Sequence, residues 1–363
     1  MDEEFQLCSS LIFRLTNESA IYDVFEDISL VYDVFFVYFL LYVGPVLVLA
    51  NVFAIFILTR KEIRSPYNII FLVMALDHSI AILGRDFNVW RNNLIFGCGF
   101  IYTLPYQIFE IAIMNLCPMC GSHASWLAVI ITFVRLRHIS SSTGEPSLRY
   151  IISLCCSSFA LIFLAGIPLF LSFDIYWIDA YQPCDGGEEM TGRTIPYIFE
   201  SARLYENDCL LLRITYISSG ILYNALPCIL LIFLSAALMY QLYKVSQPHK
   251  NLIYLRSFSA ESVRSSWMVA MIVLTTLITD VPQAIINILV GFMSDRFRST
   301  VANKLGALIA TLVIFSSAAN LTIYLCMSRR IREVTMSYLC FVCRKVKSAK
   351  SSRFTVSSPT PQK

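Results

Sequence analysis

Charge is scarce in this chain. Only 15% of its 363 residues are Asp, Glu, Lys or Arg, against about 25% in an ordinary soluble domain, and the shortage excludes a solvated globular enzyme. The opening MDEEFQLCSS has no basic stretch followed by a short apolar core, so a cleavable signal is not expected there. Histidine is sparse too. His78, His123, His138 and His249 fall in no metal or nucleophile motif, which argues against an intramembrane hydrolase. Internal repeats are missing as well, and a secondary transporter would be expected to have them, with ionisable groups converging at midplane.

What is abundant is apolar side chain. Hydrophobic residues make up 57% of the chain, and the mean hydropathy is +0.65. Seven apolar runs, 33–58, 67–90, 103–136, 149–173, 211–243, 265–293 and 303–327, each approach or exceed the roughly 20 residues that cross a bilayer. The fold class predicted is an all-α membrane protein, a seven-transmembrane helix bundle followed by a short amphipathic C-terminal helix. NLCPMCGSHAS interrupts the third run with polar residues and a proline, so a re-entrant break is an expectation there.

Lys and Arg concentrate in alternate loops, around Arg60, Lys61 and Arg64, Arg137 and Arg149, Lys244 to Arg264, and Arg329 onward. The positive-inside rule then sets the N-terminus outside and the C-terminus inside. The expected organisation is an extracellular segment over 1–32, the seven-helix bundle over 33–328, an interfacial helix over 329–343 and a disordered cytoplasmic tail over 344–363. A sequon at Asn17 agrees with an outer N-terminus; its counterpart at Asn320 lies within a span and is discounted. Cys340 and Cys343, on the amphipathic helix, are expected to be either palmitoylated or free thiols.

Polar residues within spans are costly and mark function by default. Asn51 lies in the first run, Asp77 and His78 in the second, Arg135 near the end of the third, Asp280 in the sixth, and Asn320 with Tyr324 in the seventh; Pro168, Pro227 and Pro282 interrupt the fourth, fifth and sixth. Asn51, Asp77, Arg135, Pro227, Pro282 and NLTIY at 320–324 stand in the order of the signature residues of rhodopsin-like G-protein-coupled receptors, which the chain resembles. The stretches ILTRKEIRSPYNI, SWLAVIITFVR, YENDCLLLRITYISSGILYNALPCILLIFL and TTLITDVPQAIINIL narrow the resemblance. Over about 40–340 the chain is similar to nematode serpentine receptors of class W, which resemble receptors for FMRFamide-like and myosuppressin-type peptides.

The resemblance implies a plasma-membrane receptor, not an enzyme. Its partners would be an extracellular peptide, a heterotrimeric G protein, arrestin and the lipid bilayer, with no nucleic acid; a chemosensory receptor for a small environmental molecule is the alternative. Asp77 in hydrocarbon needs a partner, and Asn51, Asn320 or a bound cation with water are the candidates. In the wider family this cluster holds a sodium ion; otherwise it is an interhelical hydrogen-bond node, with Tyr324 as a mobile hydroxyl beside it. No other cofactor and no metal is implied.

Asp280 is predicted either to read a ligand's arginine, with Gln283 and Asn287 beside it and Met114 and Cys117 on the third span, or to pair within the bundle. Among Cys8, Cys98, Cys184 and Cys209, three full pairings are open to the four thiols; the class W pattern favours Cys98 with Cys184. CPMCGSHASW, at 117–126, has the spacing of a redox dithiol or half a zinc site, but no further ligands or exchange partners stand nearby. Cys117 and Cys120 therefore read as neutral side chains close to a ligand cavity, roughly 27 and 22 Å along the helix from Arg135.

The resemblance gives Arg135 the role of engaging the G protein. The usual acid before it is Val134 here, and Glu261, at the start of the sixth span, is the expected substitute restraint. Glu261→Ala should accordingly raise basal nucleotide exchange on the G protein, and an unchanged basal rate would remove Glu261 from that role.

Overall fold

A computed structural model describes residues 18–63, 65–90, 103–141, 146–179, 194–246, 260–293 and 297–338. Among these, seven helices are long and apolar enough to cross a membrane: α1 (Glu18–Leu58), α2 (Pro66–Trp90), α3 (Leu104–Ser141), α4 (Leu148–Ala165), α5 (Glu206–Ser218, a π-helical stretch Ser219–Ala225, and Leu226–Ser246), α6 (Ala260–Phe292) and α7 (Asn303–Met327). In hydrocarbon the backbone has no water to bond, so helices that satisfy themselves are the solution open to these runs. A further helix, α8, occupies 329–338.

Short polar side chains set where the helices begin. Ser65 accepts from the Asn68 amide at 3.2 Å, with Pro66 at the first helical position. Ser147 accepts from the Tyr150 amide at 3.3 Å, and Ser328 from the Ile331 amide at 3.4 Å. At the other end of α4 stands Gly166. A Cβ there would meet Met119 Cε at 2.0 Å and Tyr223 Oη at 2.5 Å, so glycine is what lets α3 and α5 press against this corner.

The core lies between the helices. Ile57, Ile70, Phe71, Leu127, Ile131, Leu231, Leu238 and Ile272 are among its fully buried members. α3 is the axial helix: 72% of its apolar window is buried, against 17% for α4. Large apolar side chains such as Leu49, Leu161 and Phe233 are about 70% exposed, a surface suited to lipid rather than water.

Three sequence expectations change. α3 runs unbroken through Pro118, so there is no re-entrant break; a proline within a turn bounded by regular helix removes one bond without ending the helix. The first apolar run agrees with the membrane-crossing part of α1, Tyr32–Leu58, and the helix continues from it back to Glu18. α4 ends at Ala165 rather than near 173, because Gly166 and Pro168 follow, and only a four-residue turn, Ile167–Phe170, continues it. Beyond that turn lies an antiparallel hairpin that was not anticipated. Its strands β1 (Phe173–Asp179) and β2 (Thr194–Glu200) pair with Phe173 opposite Glu200 and Asp179 opposite Thr194.

The hairpin is anchored at its base. Ser201 donates its amide to the Ser172 carbonyl at 2.9 Å and its hydroxyl to Asp174 at 2.5 Å. Arg298, just ahead of α7, grips Glu200 with both terminal nitrogens, at 2.5 and 3.0 Å, and Tyr205 donates its hydroxyl to the same carboxylate. Burial alone would raise the Glu200 carboxyl, but the bonds from Arg298 and Tyr205 outweigh it and hold the group below its ordinary value of 4.5.

The sign of the pH dependence follows. A carboxyl depressed on folding contributes stability that is complete above its unfolded value and is lost as pH falls through the folded one. Protection factors of the β1 and β2 amides, with the intrinsic pH dependence of exchange divided out, should therefore be constant at neutral pH and fall below about pH 4.5. Arg298→Ala should abolish that dependence and loosen the hairpin by about 1 kcal/mol; an acid response retained in the variant would locate it elsewhere.

Candidate functional site

A cavity of about 200 Å³ lies among α2, α3, α5, α6 and α7. Cys117 and Pro118 line it from α3, Asp280, Gln283 and Asn287 from α6, and Ser219, Tyr223 and Asn224 from the π-helical stretch of α5. A second hollow of about 380 Å³ adjoins it toward the start of α7, sharing Arg85, Tyr216, Gln283 and Asn287. Four of the five residues expected to meet a ligand thus share one space. Met114 does not line it; its side chain is 40% exposed on the outside of α3.

Asp280 is 7% exposed. Its two oxygens accept from the Ser125 hydroxyl and, at 3.0 Å, from the Thr279 hydroxyl. Among the described residues no basic side chain lies within ion-pair distance of it. Cys117 donates its thiol to the Ile80 carbonyl at 3.6 Å. Cys120, 1% exposed, sits behind the cavity wall.

Pro227 explains how α3 holds α5. A helix must bond each carbonyl to an amide four residues on, or five in a π-turn, and proline has no amide to give. The missing amide and the return from π- to α-helical bonding after Leu226 fall beside the carbonyls of Leu222 and Tyr223, and both are taken by α3: Ser122 donates its hydroxyl to Tyr223 at 3.2 Å, and Trp126 its indole N–H to Leu222 at 3.1 Å.

The polar core is arranged differently from the expected cluster. Asp77 Oδ2 lies 2.8 Å from His123 Nδ1, not beside Asn51 or Asn320. Asn51 donates to Ser317 at 3.0 Å. Asn320 faces His78 Nε2 at 3.3 Å and accepts from Thr275 at 3.0 Å. A sodium ion wants several oxygen donors in one place; here the group against the carboxylate is an imidazole, and the two amides expected to join it are bonded elsewhere. This donor set does not fit the ion.

Tyr324 is 3% exposed, its ring 4.6 Å from that of Phe71 and its hydroxyl 3.7 Å from Met74 Sδ. At the far end of α3, the Arg135 guanidinium lies 3.5 Å over the Tyr67 ring, a cation–π contact to α2. Glu261 falls in the first turn of α6, but its side chain is outside the described residues. Asn17, Cys98, Cys184, Cys340 and Cys343 are also outside them. Cys209 is disulfide-bonded and fully buried.

A family model described as serpentine type 7TM GPCR chemoreceptor Srw matches residues 37–342. The chain belongs to this family. It is also 24% identical, over 98% of its own length and 78% of the relative's, to the G-protein coupled receptor dmsr-1 of Caenorhabditis elegans. This Srw protein is therefore a multi-pass membrane receptor rather than an enzyme, with a ligand and a G protein as partners.

Sequence reasoning missed four residues of the site. His123 and Ser125 were given no role because their partners, on α2, α4 and α6, are far away in sequence; their placement within an otherwise apolar span was the available signal. Arg85 was overlooked at the end of the second run. Ser122 was passed over, although an unbonded carbonyl four residues before Pro227 predicts a donor on a neighbouring helix.

Removing either donor should expose that need. Ser122→Ala leaves the buried Tyr223 carbonyl unsatisfied, at a cost of about 1–3 kcal/mol, and Trp126→Phe frees the Leu222 carbonyl on the exposed side of α5; both are measurable as a lower unfolding midpoint of the purified receptor. Both variants melting like the wild type would mean that the two carbonyls are satisfied in another way.

Proposed function

We propose that this receptor resides in the plasma membrane, N-terminus outside and C-terminus inside, and responds to an amidated FMRFamide-like neuropeptide whose arginine reaches Asp280. The observation that carries the reading is a buried carboxylate on the wall of a cavity, held, among the described residues, by hydroxyl donors alone. A guanidinium offers such a group a bidentate partner and the counter-charge that hydroxyls lack. Gln283 and Asn287, one and two turns along the same face of α6, supply amide partners for a peptide backbone.

Signalling then follows as a population shift. Ligand binds better to an arrangement in which α6 has moved relative to α3, and that difference in affinity opens the Arg135 end of the bundle to a G protein. Arrestin is the expected partner after activation. Asn17 glycosylation, a Cys98–Cys184 bridge and palmitoylation at Cys340 and Cys343 belong to the same reading.

A second reading is favoured by the family's description as chemoreceptors: a small environmental molecule in the same cavity. Nucleotide exchange on a G protein, screened with amidated peptides, separates the two. For an active Arg-Phe-amide peptide, Asp280→Asn should lower potency by about 30-fold or more, while a neutral peptide loses little. Equal losses for both would sink the charge pairing, and activation by small molecules with silence toward all peptides would favour the second reading.

A further inference from the structure

The hydrogen positions around His123 can be assigned from its neighbours. Nε2 lies 3.1 Å from the Cys155 carbonyl and 3.1 Å from Ser158 Oγ. A carbonyl oxygen only accepts, so Nε2 carries a hydrogen. Ser158 gives its own hydroxyl hydrogen to the same carbonyl at 2.9 Å, which turns its lone pairs toward the ring. On the opposite side, Nδ1 faces Asp77 Oδ2 at 2.8 Å. With Nε2 already protonated, a neutral ring would offer only a lone pair to an ionised carboxylate, and two acceptors at that distance repel.

A further proton must therefore lie between Asp77 and His123. Whether it is written as imidazolium with carboxylate or imidazole with carboxylic acid, the pair carries no net charge. The site is sealed accordingly: Asp77 is 4% and His123 2% exposed, and the Phe159 ring stands edge-on to the imidazole with centroids 5.1 Å apart.

We propose that this shared proton is the counter-charge of Asp77, taking the place of the monovalent cation implied by the rhodopsin-like resemblance. Asp77 and His123 would then form a neutral pair linking α2, α3 and α4, and the receptor's stability would not respond to sodium. The proposal stands on this node alone and holds for a peptide or a small-molecule ligand alike.

The test uses the full-length receptor in lipid nanodiscs, without ligand, melted in sodium, potassium or choline chloride at equal ionic strength. The wild-type midpoint should agree among the three salts to within about 1 °C, whereas His123→Ser, which leaves the carboxylate without its proton donor, should gain a sodium-specific rise of about 2–4 °C. Adding Asp77→Asn should abolish the gain. His123→Gln, uncharged but able to donate toward Cys155, replaces the serine variant if that one does not fold, and is held to the same outcome. A sodium-specific rise in the wild type overturns the proposal, as does a folded His123 variant with no sodium response.

Discussion

Polar groups inside this bundle are answered by their own helix or by a neighbouring one, and the segment Ser122 to Trp126 concentrates six of the bonds between helices in one place. Successive helical residues are turned by about 100°, so five neighbours on α3 sweep the full circle. Ser122 and Trp126, four apart, share a face and complete the backbone of α5. His123 turns toward α2 and α4. Ser125 turns toward Asp280 on α6. Four helices are thus tied to one turn and a half of the axial one, each by a bond that lipid cannot replace.

This arrangement links the ligand cavity to the polar core without intermediaries. Ser125 and His123 lie two residues apart, one bonded to the carboxylate that faces the cavity and the other to the carboxylate that faces the core. In the proposed reading, a cation that draws Asp280 away from Ser125 loosens the α3–α6 contact directly. The other side of α3 remains fixed to α2 and α4. Motion is thereby assigned to α6, and α3 acts as the reference against which it moves.

The spans were legible because hydrocarbon thickness imposes a run length that composition alone reveals; six of the seven runs agree with the helices to within a few residues at most ends. The cavity-facing residues of α6 were legible from their spacing around Pro282. The hairpin was not, although FDIYWID and TIPYIFE are rich in the β-branched and aromatic residues of strands. Each was read as the margin of an apolar segment or passed over as a loop. Partner choice was the other failure: Asp77 was expected to meet Asn51 or Asn320, and the identity of a partner 46 residues away depends on packing angles that no local pattern encodes.

That separation matters while the chain is being made. A ribosome adding about 5–20 residues per second needs about 2–9 s to travel from Asp77 to His123, and α4 follows later still. For that interval the carboxyl has no imidazole. An acid without a partner is least costly to hydrocarbon when neutral, and under the shared-proton proposal α2 would enter the membrane with Asp77 protonated. On that proposal the proton joining α2 to α3 would be cargo carried in by the second helix, shared with His123 when the bundle closes around it.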